Sequence, residues 1–343
     1  MIIRFEKPTL RRKDMDAVLQ TMVDEHIGPG QRTAQFVSLL QSITGIQGAA
    51  VALRSLPVAL FHALRIAGVQ PGDAVVASAL SPGMYASVAA MLGCRLLIGD
   101  IDAETGNLSY LEMQKLMVHK PKAVILYEPY GNFDFNRSWK DLGIPIIEDI
   151  TESLCSSYQE RASGSDCDIA VCAFEESGIV STGGGAAILC ESPAMQERLD
   201  AFLGAEIVFQ ELPDMNAALG IVQISLVKQH MERRRSIFRI YQQALLHTRH
   251  HLFGIPDIDY DTNGYGFTVV LDGRPEEAMQ FALKYEVSIQ RAFAQCLIQN
   301  ELDRFDLYPK AIVCALRSVS FPLYPFLTNQ QVAQIEKVIS HLP

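Results

Sequence analysis

The sequence of 343 residues lacks the patterns that mark several large classes of protein. It has no Lys/Arg-rich stripe, and its formal net charge of −10 argues against a nucleic-acid partner, because such a partner requires cations that neutralise phosphates. No apolar run reaches the length of a membrane span, and the opening stretch MIIRFEKPTL lacks the basic-then-apolar form of a signal peptide. We therefore expect a cytoplasmic protein that contacts neither nucleic acid nor membrane.

Disulfide and metal patterns are also missing. The seven cysteines are scattered, have apolar neighbours and form no Cys-x-x-Cys pair, which predicts buried thiols in a reducing compartment. His247, His250 and His251 crowd together in a spacing that could hold a metal, but we interpret them as a frayed helix end in solvent. The run Arg233-Arg234-Arg235 is interpreted as a solvated face or a salt-bridging turn. No metal site is predicted.

Short apolar runs alternate with helical patterns through the first part of the chain. Continuous apolar runs are typical of strands that helices cover on both faces. The predicted strands are 48–53, 73–80, 94–101, 122–128, 144–150, 168–174 and 185–190. This alternation predicts an α/β fold with a mostly parallel sheet sandwiched by helices.

A long helical pattern from Asp214 to about His247 is predicted to connect two domains. We expect a large domain over residues 1–233 and a smaller α/β C-terminal domain over residues 234–343. In the smaller domain, the predicted elements are a strand at 265–271, a helix at 276–285 and a closing helix at 329–342 with Thr328 as its N-cap.

Seven segments are informative when they are taken in order: IGPGQRTAQFVSLL (27–40), VQPGDAVVAS (69–78), GCRLLIGDIDAETGNLS (93–109), PIIEDITESL (145–154), NAALGIVQI (216–224), RRRSIFRIY (233–241) and SFPLYPFLTNQQVAQIEKVI (320–339). Together they resemble the DegT/StrS family of sugar aminotransferases, which are fold-type-I enzymes that use pyridoxal phosphate. Their order and spacing cover nearly the whole chain. The resemblance implies the fold of that family, and a dimer with composite sites.

The resemblance also places the family's cofactor contacts on this chain. The turn that grips the phosphate falls on Ser55-Leu56-Pro57, where Ser55 alone matches. The ring that stacks on the pyridine falls on Ser81-Pro82, with Tyr85 nearby as a stand-in. Asp149 falls on the aspartate that keeps the pyridine nitrogen protonated.

The Schiff-base lysine falls on Gly178, inside AFEESGIVSTGGGAAIL (173–189). Glycine has no amine, so neither a Schiff base nor a proton acceptor is available there. Lys228 or Lys310 could reach the pocket instead, but we expect a long helix and the small domain to hold them elsewhere. The asparagine that reaches across the dimer falls on Phe209, in an apolar stretch, 207–209, expected near the interface.

Glutamates accumulate around the same pocket. Glu128, Glu152 and Glu175 are expected at neighbouring strand ends with Asp149, and Glu211 near the inter-subunit segment. A carboxylate at about 4 Å from the cofactor phosphate weakens the binding free energy of the cofactor by on the order of 4 kcal/mol per unit charge, at an effective dielectric near 20. We therefore expect no bound cofactor, the alternative being pyridoxal phosphate held without a covalent bond. The acidic groups could also fill a disused pocket, accept an amine-bearing sugar, or bind magnesium or calcium.

These features favour a degenerate sugar-aminotransferase homologue that does not transaminate. It would bind a nucleotide-sugar or amino-sugar intermediate, or an active paralogue, in surface-polysaccharide biosynthesis, as a homodimer or a heterodimer. The alternative is an enzyme with altered chemistry on a sugar, using non-covalent pyridoxal phosphate or acid–base catalysis by Glu128, Glu152 and Glu175.

Overall fold

A computed structural model describes residues 2–203, 210–255, 257 and 259–343. The helices are α1 Arg12–Val23, α2 Gln31–Thr44, α3 Leu56–Ile66, α4 Met84–Leu92, α5 Tyr110–Leu116, α6 Pro193–Leu203, α7 Asp214–Leu245, α8 Pro275–Lys284, α9 Pro309–Arg317 and α10 Asn329–Ile339. The strands are β1 Ala49–Leu53, β2 Ala74–Ser78, β3 Arg95–Gly99, β4 Ala123–Tyr127, β5 Ile146–Asp149, β6 Ser157–Tyr158, β7 Arg161–Ala162, β8 Ile169–Ala173, β9 Ala186–Cys190, β10 His251–Leu252, β11 Tyr260–Asp261, β12 Phe267–Val270, β13 Gln290–Arg291 and β14 Ser318–Phe321.

The central sheet has the strand order β1-β9-β8-β5-β4-β2-β3. β9 runs antiparallel to β1 and β8, and the remaining pairings are parallel. Side chains from opposite faces of β2 enter different apolar clusters: Val75 packs with residues of α3 and α4, and Val76 packs with Phe36 of α2. Helices therefore cover both faces, and the predicted α/β fold with a mostly parallel sheet is confirmed.

A smaller antiparallel sheet, β10-β12-β14-β13, follows the long helix α7. Its apolar side chains pack with α7, α8 and α10, and Ile3 from the start of the chain joins the same cluster. The N-cap prediction for the closing helix is confirmed, because the Thr328 hydroxyl accepts from the Gln331 amide in a capping box. In contrast, Phe293 and Ile312 pack into a cluster of the central sheet. The division at residue 233/234 stays a prediction.

The arginine run matches its interpretation only in part. Arg234 is 3% exposed and donates through one terminal nitrogen to the carbonyl oxygens of Gly264, Tyr265 and Leu323. Burial lowers the pKa of Arg234 to about 10. Arg235 pairs with Asp261 at 2.8 Å. The salt bridge of Arg235 agrees with one of the two interpretations, whereas the buried Arg234 connects α7 to neighbouring loops and does not face solvent.

The histidine cluster also differs from the prediction. α7 ends at Leu245, and His250 is buried, where its Nδ1 accepts from the Asp272 amide at 3.1 Å. Across the described ranges, no group of three or more His, Cys, Asp or Glu side chains is placed to hold a metal ion. Within those ranges, no helix has the length and apolarity that crossing a membrane requires.

Candidate functional site

Asp149 lies at the carboxyl end of β5, between β4 and β8 in the middle of the central sheet. Its carboxyl group is 1% exposed and has donors on both oxygens. The Tyr85 hydroxyl donates to Oδ2 at 2.5 Å, and the Thr151 hydroxyl and amide donate to Oδ1 at 2.5 and 3.1 Å. Burial raises the pKa of Asp149, while the hydrogen bonds from Thr151 and Tyr85 oppose that rise.

Tyr85 reaches Asp149 from the first turn of α4 and is 1% exposed. Burial, followed by the charge of Asp149, raises the pKa of Tyr85 well above its ordinary value, so the hydroxyl remains a donor. The sequence predicted Tyr85 as a substitute for a stacking ring. The structure instead shows its hydroxyl as a hydrogen-bond donor to the aspartate.

The two predicted serines make few contacts. Ser55 is the half-buried N-cap of α3, but its side chain makes no capping hydrogen bond. Ser81 is fully buried, and its Oγ has no hydrogen-bond partner in the described part of the chain. A buried hydroxyl without a partner costs free energy that a bound polar group would recover.

Gly178 sits in a tight turn after β8. Its amide donates to the Glu175 carbonyl oxygen at 3.0 Å. A Cβ atom at this position would lie 2.9 Å from the Val180 carbonyl oxygen and 3.2 Å from that of Glu175. Both neighbours are backbone, so any larger residue here requires the turn to shift.

Glu152 faces a cleft of about 150 Å³ between the central sheet, the small sheet and the N-terminal segment. Its Oε2 accepts from the Tyr130 amide at 2.7 Å, and the Tyr127 side chain also hydrogen-bonds to it. Burial raises the pKa of Glu152 to about 7. Further lining residues include Lys7, Ser177, Arg234 and Tyr265.

Tyr130 separates this cleft from a larger one of about 700 Å³ beside α7. The larger cleft contains none of the predicted site residues. Tyr130 has φ 52° and ψ 32°, the left-handed region that bulky residues rarely adopt. Such strain is commonly retained at functional sites.

The other predicted carboxylates do not converge on the cleft. Glu128 is fully buried; its Oε2 accepts from the hydroxyls of Ser153 and Ser163, and its Oε1 has no partner in the described ranges. Burial, then the charge of Glu148, raises the pKa of Glu128 well above its ordinary value. Glu175 is exposed. Among Glu128, Asp149, Glu152 and Glu175, only Glu152 lines the cleft. This arrangement does not support the prediction of an acidic pocket that binds a metal.

The alternative lysines do not line the cleft either. Lys228 is exposed on α7, and Lys310 is exposed at the start of α9, where its amide donates to Asp100. The sequence-based reasoning missed Lys7, which does line it, and Thr151 beside Asp149. A threonine two residues after an aspartate often forms a local hydrogen bond with it, so Thr151 could have been found from the sequence. No pattern near Lys7 in the sequence indicates that it lines the cleft.

The predicted inter-subunit stretch is only partly described. Ile207, Val208 and Phe209 lie outside the described residues. Glu211 is half-buried and forms a β-bridge with Leu53.

Comparison with known proteins gives matches over almost the entire chain. A sequence profile of the DegT/DnrJ/EryC1/StrS aminotransferase family matches residues 8–340. The dTDP-4-dehydro-2,3,6-trideoxy-D-glucose 4-aminotransferase of Saccharopolyspora spinosa is 26% identical over 99% of this chain and 97% of its own length. The spore coat polysaccharide biosynthesis protein SpsC of Bacillus subtilis is 22% identical over 98% of this chain and 95% of its own length.

Solved structures share the fold. Spr1654 from Streptococcus pneumoniae in its PMP-form superposes with a TM-score of 0.91 at 20% identity, covering 99% of this chain and 97% of that one. The aminotransferase TlmJ from Streptoalloteichus hindustanus superposes with a TM-score of 0.88 at 23% identity, covering 99% of this chain and 98% of that one.

These matches correct the cofactor prediction. Spr1654 has been solved in both a PLP-form and a PMP-form, and the matching family is one of aminotransferases. The expectation of no cofactor, with non-covalent pyridoxal phosphate as its alternative, was therefore wrong, and pyridoxal phosphate belongs among the expected ligands.

The described side chains do not fit that cofactor in the arrangement observed. The resemblance assigns Asp149 to the ring nitrogen, but the Tyr85 hydroxyl already donates to its Oδ2. Gly178 offers no amine, and the space around it is closed by backbone. We derive no reaction step through the cofactor.

Proposed function

The chain belongs to the DegT/DnrJ/EryC1/StrS aminotransferase family, and we propose that it binds a sugar intermediate of nucleotide-sugar or surface-polysaccharide biosynthesis without transaminating it unaided. The relatives named above act on a dTDP-linked 4-dehydro sugar or take part in spore coat polysaccharide biosynthesis. A sugar nucleotide is accordingly the ligand class we assign to this chain.

Gly178 is the observation that carries the proposal. Transfer of an amino group needs a base at the reacting carbon, and the position that the resemblance assigns to this base is Gly178, which has no functional side chain. The contact distances of 2.9 and 3.2 Å around a Cβ at residue 178 mean that the turn has adapted to glycine.

The cleft at Glu152, with a volume of about 150 Å³, supports binding of the sugar part of such a ligand. Tyr130, Tyr265 and Phe321 supply apolar surface, while Gln290, Ser320 and Arg291 supply hydrogen-bonding groups. Pockets for small molecules combine apolar walls with a few polar groups in this way. An active paralogue as second subunit could supply a lysine, whereas another copy of this chain carries the same Gly178.

The test combines binding with turnover. Titration calorimetry with a dTDP-4-dehydro sugar should show saturable binding to the wild type. Incubation with that sugar, glutamate and pyridoxal phosphate should give no amino sugar by mass spectrometry, for either the wild type or Gly178→Lys. Amino-sugar formation by the purified wild type would refute the proposal.

A matched control separates lost function from misfolding. Gly28→Lys introduces the same side chain where a Cβ meets no atom within 4 Å, so it should leave the melting temperature unchanged. Gly178→Lys should lower it, because the backbone of its turn must shift.

Glu152 favours a second candidate, proton transfer on the sugar. A carboxyl group with a pKa of about 7 is suited to act as a general base or acid near neutral pH. Deuterium incorporation next to the carbonyl of a 4-dehydro sugar would report it. The rate should rise with pH through a midpoint near 7 and vanish in Glu152→Gln; unchanged incorporation in that variant would exclude this candidate.

A further inference from the structure

We propose that the cleft of about 700 Å³ beside α7 binds a neutral oligosaccharide, at a site separate from Glu152. This second site goes beyond the proposed function, because it requires neither a sugar nucleotide nor Glu152. Its volume lies within the range of about 300–1,000 Å³ that small-molecule pockets usually have, whereas the cleft at Glu152 has a volume of about 150 Å³.

The larger cleft lies where several parts of the chain meet. One wall is a face of α7 whose residues recur at helical spacings of three and four: Arg235, Phe238, Arg239 and Gln242. The facing walls come from the loop after β4, from β10 and the residues that follow it, from β11 and from β12. Ligand pockets occur preferentially at such junctions.

Tyr130 closes the larger cleft towards Glu152. Tyr130 and Gly266 line both clefts and form the wall between them. A Cβ atom on Gly266 would lie 2.8 Å from Cδ1 of Tyr130, so the tyrosine ring packs directly against this backbone. The ring also contacts Phe253 and Phe293, at centroid distances of 6.1 and 5.3 Å. A ligand in the larger cleft therefore contacts Tyr130 without reaching Glu152.

The charges that line the larger cleft cancel. Arg235 pairs with Asp261 at 2.8 Å and donates through Nε to the Thr262 carbonyl oxygen. Arg239 adds a second cation to the lining, and Asp257 adds a second anion. A phosphate-bearing ligand gains nothing from a lining whose charges balance, and it is repelled by the net charge of −10 of the whole chain. The cleft is therefore suited to a neutral ligand.

Open hydrogen-bonding groups line the larger cleft next to aromatic rings. Within the described part of the chain, the side chains of Arg239 and Gln242 have no hydrogen-bond or ion-pair partner. The Gln242 amide both donates and accepts hydrogen bonds, as the hydroxyl groups of a saccharide do, and neighbouring hydroxyls can accept from the paired N–H groups of Arg239. Phe238 and Tyr130 supply apolar surface for the C–H faces of a sugar ring. This combination fits a saccharide.

The aromatic rings of the larger cleft do not form a slot for a flat nucleobase. The ring planes of Tyr130 and Phe253 are inclined to each other by 84°. A base stacks on an aromatic ring through its flat face, so two rings that enclose it have to lie parallel. A sugar ring is not planar and has no such requirement. The geometry therefore favours a saccharide over a nucleoside.

The experiment measures dissociation constants by titration calorimetry with three neutral disaccharides, maltose, cellobiose and lactose. At least one of them should bind the wild type saturably in the millimolar range. Gln242→Leu keeps a side chain of similar size but removes its hydrogen bonds, and it should weaken this binding at least about tenfold. Gln243→Leu makes the same change at the next residue, which is exposed and does not line the cleft, and it should match the wild type.

The proposal is wrong if none of the disaccharides binds at millimolar concentration, if the two variants bind alike, or if inorganic pyrophosphate or thymidine displaces the disaccharide at equal concentration. If Gln242→Leu melts below Gln243→Leu, Arg239→Gln decides, because Arg239 is exposed and its replacement leaves the fold intact. Arg239→Gln should also weaken binding, and an unchanged dissociation constant would count against the site. Failure to bind a dTDP-linked sugar would refute the proposed function and leave these affinities unaffected.

Discussion

Glu148→Gln should stabilise the protein at alkaline pH and leave its stability at acid pH nearly unchanged. Glu148 lies on β5, is 3% exposed, and accepts from the Gly164 amide at 2.8 Å. Burial raises its pKa from 4.5 to about 7. The folded state therefore binds this proton more tightly than the unfolded chain, and the associated stability is fully present below pH 4.5 and lost as pH rises to 7.

The size of the effect follows from that shift. A difference of about 2.5 pKa units corresponds to roughly 3 kcal/mol. Glutamine keeps an oxygen for the Gly164 amide and does not ionise, so the variant avoids this loss. A chain of 343 residues has an unfolding entropy of about 0.7 kcal/mol/K, so 3 kcal/mol corresponds to roughly 4 °C in melting temperature.

The assay is thermal unfolding between pH 4.5 and 8.5. The difference between variant and wild type should grow from near zero to about 4 °C over this range. Glu176→Gln makes the same change on an exposed side chain and should shift melting by less than about 1 °C at every pH. If Glu148→Gln loses stability between pH 5 and 8 as steeply as the wild type, Glu148 does not carry the buried proton.

Two further predictions concern stability. Arg234→Met should lower the free energy of unfolding by about 3 kcal/mol, because it leaves three carbonyl oxygens without a charged donor; Arg239→Met, exposed on the same helix, is the control, and equal melting of the two variants would contradict it. Thr328→Ala should cost about 1 kcal/mol by removing the N-cap of α10, and denaturant unfolding with an unchanged midpoint would show that the cap is dispensable.

The strands of the central sheet could be predicted because buried strands consist of continuous apolar runs that are visible in the local sequence. The run 122–128 was predicted as a strand and β4 is Ala123–Tyr127; the run 168–174 was predicted and β8 is Ile169–Ala173. Strands covered on both faces need uninterrupted apolar residues, and few other structures do. Arg234 shows the limit of such reasoning, because its burial depends on carbonyl oxygens from distant loops that no local pattern reveals.

The candidate site also has features that could be predicted from the sequence and features that could not. The position of Asp149 at a strand end follows from chain order, and the structure places it there. The separation of Glu128 from the cleft does not follow from chain order, since adjacent residues at a strand end point to opposite faces and Ser163 lies 35 residues away. The contact between Tyr85 and Asp149 likewise depends on how α4 packs over the sheet.

Tyr85 and Thr151 together explain how a 1%-exposed carboxyl group is tolerated at the centre of the sheet. An unpaired buried carboxylate would be costly, and its oxygens need donors whenever no ligand supplies them. Thr151 provides one donor locally, and Tyr85 provides the other from α4. The hydrogen bond from Tyr85 to Asp149 therefore stabilises the protein. Tyr85→Phe should consequently lower the melting temperature, because it leaves Asp149 Oδ2 without its donor, and a melting temperature equal to that of the wild type would contradict this account.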